Sequence, residues 1–272
     1  MINPGNCGDG LIDRGIDTLL ARCGIAFTLL DAPEIGTAGT LLISGAGTFN
    51  RAWSYGADRV KFYAGKYETV CVTPASFETS YPPIRKFLRE LPDNVTIFCR
   101  ENVSFKALNT LVPKRENVHL DHDAAFHNDV TPWKMEGHGE INCFRTDKET
   151  VGRLLPSKNY DISGMGRETQ KTLLLDILKN FKTVNTDRLH VAIAGAILGK
   201  NVRMFASSYH KLFSVYEYSL KENPNVEICS EEDYQRILEA QFDRHKYKRY
   251  LVTLQRVPGA MPLARAIKRA LG

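Results

Sequence analysis

Nowhere does the chain hold an apolar run near the ~20 residues that a membrane span needs. Its first residues, Met1-Ile2-Asn3-Pro4-Gly5, lack the basic-then-apolar pattern of a secretory signal. No Cys-x-x-Cys pair occurs. The six cysteines, Cys7, Cys23, Cys71, Cys99, Cys143 and Cys229, are scattered, four of them within or beside apolar runs. That argues against a zinc site and for buried free thiols in a reducing compartment. Also missing are G-x-G-x-x-G, the Walker lysine loop, the G-x-S-x-G elbow, H-E-x-x-H and the kinase signatures, so the commonest nucleotide, hydrolase and metalloprotease sites are not indicated. Charge of one sign is scarce: 36 Lys and Arg stand against 31 Asp and Glu, a net +5 at pH 7. This mixed, mildly basic balance suits an anionic small substrate and is too weak to imply nucleic acid. These absences place the chain in the cytoplasm and imply no cofactor and no metal.

At 272 residues, 43% hydrophobic and 25% charged, the chain has the composition of a globular protein with one large or two ordinary domains. Its first half alternates apolar runs with helical spacing. Phe27–Leu30, Leu41–Ile43, Val70–Thr73, Val95–Cys99 and Val118–Leu120 read as strands. Leu11–Cys23 (with Asp9 as its cap), Asn50–Lys66, Pro82–Leu91 and Ser104–Leu111 read as helices. A polar stretch with Pro and Gly around His127–Gly139 reads as a linker. The alternation then resumes with Ile141–Phe144, Glu168–Asn180, Lys182–Val184, a helix from Arg188, Val202–Phe205, Tyr209–Lys221 and Glu231–Phe242. Strands alternating with helices predict parallel sheets covered on both faces. The expected architecture is therefore α/β: two Rossmann-like domains, residues 1–135 and 140–272, with a cleft between them. The end of the chain carries a basic, partly amphipathic helix whose Leu263, Ile267 and Leu271 form one apolar stripe. It reads as docked on the body, with peripheral membrane contact as the second reading.

In parallel sheets, ligands bind beyond the carboxyl ends of the strands. Several predicted strand ends here carry polar or glycine-rich groups. Asn6, Gly8 and Asp9 lie in a turn leading into the first helix, where backbone N–H groups can approach a polar ligand. Gly45 and Gly47 follow the strand at Leu41–Ile43. Arg100 follows Val95–Cys99, with Ser104 expected at the next helix cap; Arg145 follows Ile141–Phe144. Asp121-His122-Asp123 invites a metal, but adjacent residues on a strand end point to opposite sides, so a metal site is not the preferred reading there.

The strongest of these places is Thr186-Asp187-Arg188-Leu189-His190. It joins an apolar strand to a small-residue helix, so Arg188 and His190 fall at a helix N-terminus. Exposed N–H groups and the helix dipole favour an anion there. A guanidinium opposes that dipole, so something must offset it. Arg188, a titratable His190 and Lys211 in the same half suggest a site that holds a phosphate or carboxylate and moves a proton.

Taken in order, Asn6-Cys7-Gly8-Asp9, Gly45-Ala46-Gly47, Arg100 with Ser104, Asp123-Ala124-Ala125-Phe126, Arg188-Leu189-His190 and Lys211 resemble the polysaccharide pyruvyl transferases. The resemblance spans most of the chain to about residue 220. It implies a GT-B-like pair of domains and transfer of the carboxyvinyl unit of phosphoenolpyruvate to a sugar of a cell-surface glycan or its lipid-linked precursor. It also implies His190 as general acid, with Arg188 and Arg100 as its catalytic companions. Asn6, Gly8, Asp9, Gly45, Gly47, Ser104, Asp123 and Lys211 would then contact substrate, and Arg145 joins them on its strand-tip position alone. Two other readings stay open on the residues: a GT-B glycosyltransferase using a nucleotide sugar, and a catalytically silent protein of the same fold.

Overall fold

The computed structural model describes residues 5–30, 39–147, 150, 154–206 and 211–241. They form two four-stranded, wholly parallel sheets, ordered β1-β2-β3-β4 and β5-β6-β7-β8. In the first sheet, β1 (Thr40–Ile43), β2 (Thr69–Ala75), β3 (Val95–Cys99) and β4 (Val118–Leu120) alternate with α2 (Tyr55–Ala64), α3 (Pro82–Arg89) and α4 (Asn102–Leu111). The second sheet holds β5 (Glu140–Cys143), β6 (Thr183–Thr186), β7 (Asn201–Met204) and β8 (Val226–Ile228). Between its strands lie α5 (Ile162–Met165), α6 (Leu173–Leu178), α7 (Leu189–Ile197) and α8 (Lys211–Val215), the last running into a π-helical turn over Tyr216–Leu220. Helix α9 (Glu231–Gln241) follows β8. The expected basic C-terminal helix lies outside the described residues. No helix among the described residues is long and apolar enough to cross a membrane.

Helix α1 (Cys7–Arg22) comes first in the chain but packs with the second sheet. Its Cys7, Leu11 and Ile12 share one core with Ile141, Val184, Ile193 and Val202, while Val70, Val72, Ile97, Phe87 and Val60 build the core of the first sheet. Sequence order alone had grouped α1 with residues up to 135. Gly15 brings α1 close to the turn over Ala124–His127, where a Cβ would strike the Ala124 carbonyl. The presumed linker is anchored to the same layer. Val130 is buried, Arg14 lies 4.7 Å over the Trp133 ring, and Trp133 Nε1 donates to Asp176. Helix α1 and the stretch after β4 therefore both pack on the layer of the second sheet.

Most predicted elements form, with three differences of substance. Phe27–Leu30 is not a strand: Ile25, Phe27 and Leu29 are exposed, and β1 has only β2 as its described neighbour. Asn6, rather than Asp9, caps α1; its side chain accepts from Gly8 N–H, while Asp9 in the third helical position accepts from Asn6 N–H. This is a capping box, which uses both residues reciprocally. Similarly, Glu101 caps α4 and its carboxylate takes the N–H of Ser104 at 2.9 Å. All six cysteines are free, and burial pushes the Cys7 thiol up to about 12.

Candidate active site at the facing strand ends

The carboxyl ends of the two sheets meet around a cleft of about 220 Å³. Its lining comes from the α1 start (Asn6, Asp9), the β1–α2 loop (Gly47, Trp53) and the first residue of α2 (Tyr55), the β3 end (Arg100), the β5 end (Arg145, Asp147) and the starts of α7 and α8 (Arg188, His190, Lys211). Parallel strands place ligands there because helix N-termini and loop amides converge at that edge.

Arg100 follows β3 and is almost completely buried, 1% exposed. Its Nε donates to Ser76 Oγ at 2.9 Å and its Nη1 to Asp123 Oδ2 at 2.7 Å. Asp123 is fully buried, and its other oxygen accepts Ala125 N–H at 2.9 Å. Burial alone would disfavour its charge, but the His190 contact, the Arg100 guanidinium and the Ala125 N–H outweigh that and hold the carboxyl well below its usual range. His190 stands over this pair, with Nε2 3.4 Å from Arg100 Nη1 and 3.6 Å from Asp123 Oδ2. A neutral ring accepts from Arg100, whereas a protonated Nε2 turns its charge toward Asp123. The imidazole remains partly open, with 14% of its side chain exposed. On its far side, a Cβ on Gly8 would come within 2.6 Å of His190 Nδ1. Gly8 thus gives the ring its place.

On the second sheet, the local chain path follows from Thr186. Its hydroxyl donates to Cys143 O at 2.8 Å and accepts Arg188 N–H at 2.9 Å, ending β6 and setting Arg188 as the extended N-cap of α7. The Arg188 guanidinium forks onto Asp161 through Nε at 2.8 Å and Nη2 at 2.6 Å, and Nη1 meets Asp147 at 2.8 Å. Two carboxylates therefore offset the cation that the helix dipole disfavours. Asp161 in turn accepts from Thr146 N–H and Oγ1, each at 2.8 Å, and caps α5. Burial opposes its charge, yet Arg188 lowers its pKa. Next to it, burial raises Asp187 above the usual carboxylate range despite the 2.8 Å hydrogen bond from Arg145 N–H.

Of the residues expected from sequence, Asn6, Asp9, Gly47, Arg100, Arg145, Arg188, His190 and Lys211 line the cleft. Four stand behind it. Gly8 supports His190, and Asp123 supports both Arg100 and His190. Gly45 is a close-approach position where a Cβ would strike the Thr73 and Pro74 carbonyls. Ser104 accepts Phe77 N–H at 2.8 Å and its hydroxyl donates to Glu101. His122 diverges from Asp123 and stacks on Tyr218, its Nδ1 2.9 Å from Ser219 Oγ. Residues missed from sequence are Ser76, Asp147, Asp161, Trp53 and Tyr55. The first three act through partners remote in sequence. Trp53 was expected inside a helix over Asn50–Lys66, whereas α2 begins only at Tyr55 and Trp53 stands in the loop before it.

Two parallel-sheet layers thus turn their strand ends to a cleft lined by arginines, a lysine and a histidine, a lining whose charge complements an anionic group. The chain belongs to the polysaccharide pyruvyl transferase family, which matches residues 6–209. It is thus a transferase of a class that moves a pyruvyl group to polysaccharide. The fold is similar to that of a functionally uncharacterized protein from Klebsiella pneumoniae subsp. pneumoniae NTUH-K2044. The two share 28% identity and a TM-score of 0.72, over 85% of this chain and 91% of that one. No curated protein matches the chain.

Proposed function

We propose that the protein transfers the carboxyvinyl unit of phosphoenolpyruvate to a sugar of a glycan or glycan precursor, using its two sheets as GT-B-like halves. The observation that carries this reading is His190 over the buried Arg100–Asp123 pair, opening on a cleft to which Arg145, Arg188 and Lys211 also come. Phosphoenolpyruvate bears a phosphate and a carboxylate, which match cationic side chains arriving from both sheets. Protonation of its methylene carbon by His190 makes a methyl group and puts positive character on the carbon bearing the phosphate. A sugar hydroxyl adds to that carbon, the C–O bond to phosphate breaks, and a second hydroxyl closes the ketal. One hydroxyl proton restores the imidazolium and the other leaves on phosphate, so the cycle consumes no proton. Arg100 and the cations of the second sheet favour departure of the phosphate. Arg188, held by two carboxylates, acts mainly by fixing the start of α7 and hence His190.

Purified protein incubated with phosphoenolpyruvate and a panel of glycosides is expected to release phosphate and to yield a glycoside with the added mass of a pyruvate ketal. Bound donor at about 100 times its Kd should stabilise the fold by roughly 2.7 kcal/mol, visible as a higher melting temperature. Release of a nucleoside diphosphate from a nucleotide sugar, with no response to phosphoenolpyruvate, would overturn the donor assignment.

A further inference from the structure

The cleft holds a metabolite more readily than a glycan, since about 220 Å³ lies below the roughly 300–1,000 Å³ of ordinary ligand pockets. A polysaccharide acceptor therefore needs purchase at the rim. The rim contributes one of the chain's two tryptophans. Trp133 is structural, tied by Asp176 and covered by Arg14. Trp53 differs: it is 46% exposed, yet its loop is tightly built. Asn50 N–H donates to Trp53 O at 3.1 Å, and Trp53 N–H is accepted by the Asn50 side chain at 2.9 Å. The buried Asn50 side chain also donates to Gly47 O at 3.0 Å, and Arg51 N–H is held by Glu78 at 2.8 Å. Beside it, Tyr55 lines the same cleft with the Arg59 guanidinium 5.0 Å from its ring centroid.

A fixed loop thus presents an indole to solvent at the edge of a transferase cleft. Aromatic faces carry negative charge density, and a pyranose offers a face of polarised C–H groups, so the two stack without desolvating hydroxyls. We propose that Trp53 is the acceptor platform: a sugar ring of the glycan stacks on its exposed face, which turns two of that ring's hydroxyls toward the donor carbon. Tyr55 forms the adjoining wall. This assignment rests on the pyruvyl-transfer reading for its chemistry, but sugar stacking is measurable without it.

Tryptophan emission of the full chain should shift on titration with methyl glycosides from the panel, and the shift should vanish in Trp53→Phe if Trp53 is the reporter. In turnover, Trp53→Ala should raise the acceptor KM by about tenfold, the scale of one stacking contact, while the phosphoenolpyruvate KM and donor-induced melting shift stay at wild-type values. Trp53→Tyr should restore most of the acceptor affinity. An acceptor KM in Trp53→Ala within about twofold of wild type would overturn the platform. If phosphoenolpyruvate gives no turnover, the donor reading fails by itself. The emission titration then decides: a Trp53-dependent shift sustains the platform, and emission unmoved by every glycoside overturns it.

Discussion

Arg100 and Arg188 each lie just beyond an inner strand of a parallel sheet and each is buried against a carboxylate, yet they are held differently. Arg188 has both faces of its fork closed by Asp161 and its third nitrogen on Asp147. Asp161 extends the network to Thr146 and to the start of α5. Arg100 has a single carboxylate, Asp123, and a single hydroxyl, Ser76, and shares that carboxylate with His190. The second sheet thus has a clamp tying β5, α5 and α7 together, while the first contributes an ion pair whose balance depends on an imidazole from the other sheet. The same residue type beyond a central strand is locked between carboxylates in one half and shares its carboxylate with an imidazole in the other.

The largest expected effect breaks the clamp. Arg188→Ala leaves Asp161 buried without its cation, and removal of one partner from a buried pair costs about 3–5 kcal/mol. Denaturant unfolding should report that loss. Arg188→Lys should recover only part of it, because an ammonium cannot form the fork to Asp161. Should Arg188→Ala unfold at the wild-type midpoint, the clamp would have no stabilising role.

Next is His190→Ala, which probes the other half of the comparison. The ring is partly open and is held only by the longer contacts to Arg100 and Asp123, so the melting temperature should fall much less than in Arg188→Ala. Phosphate release should nevertheless fall by about 10²–10⁴-fold, the range of a positioned acid. Wild-type turnover in this variant would remove His190 as the proton donor.

That asymmetry was only half visible in the sequence. The switch at Thr186–His190 was legible because its signals are local: an apolar strand, a hydroxyl, then small apolar residues at helical spacing. Strand β3 and helix α3 were legible for the same reason. The pairing of each arginine with its carboxylate was not, although Asp123 itself was singled out, since Asp161 and Asp123 lie 27 and 23 residues from Arg188 and Arg100, and no local pattern couples them. Phe27–Leu30 shows the converse failure. Its apolar character suggested a strand, but a strand needs a neighbouring edge, and none of the described strands pairs with it. Helix α1 was legible along the chain, but its apolar stripe does not say that it packs both on the turn over Ala124–His127 and on the core of the second sheet.

A smaller change should separate position from chemistry at His190. In Gly8→Ala the new Cβ would fall 2.6 Å from Nδ1 and 2.9 Å from Asn6 Oδ1, so the ring or the α1 cap must shift. Overpacking of this kind costs about 1–3 kcal/mol. Turnover should fall with His190 still present, and the melting temperature should drop less than in Arg188→Ala. Unchanged kcat would mean that the ring tolerates displacement and that its contact with Arg100 and Asp123 is not needed.

The gentlest test of the comparison is acid. Asp123 and Asp161 both have depressed pKa values in the folded chain, so each adds stability that is present above the unfolded aspartate pKa, about 3.9, and is lost as pH falls through the folded value. Asp187, raised by burial, acts oppositely: its contribution is present below the unfolded value and fades as pH rises through the folded one. Wild-type stability should therefore change little from these two aspartates near neutrality and decline below about pH 4. Asp161→Asn should flatten part of that acid decline while lowering stability at pH 7. Asp123→Asn should flatten another part and, unlike Asp161→Asn, should also alter the pH profile of phosphate release, because only Asp123 touches His190. Matching pH–rate profiles for the two variants would show that the first-sheet pair is as purely structural as the clamp.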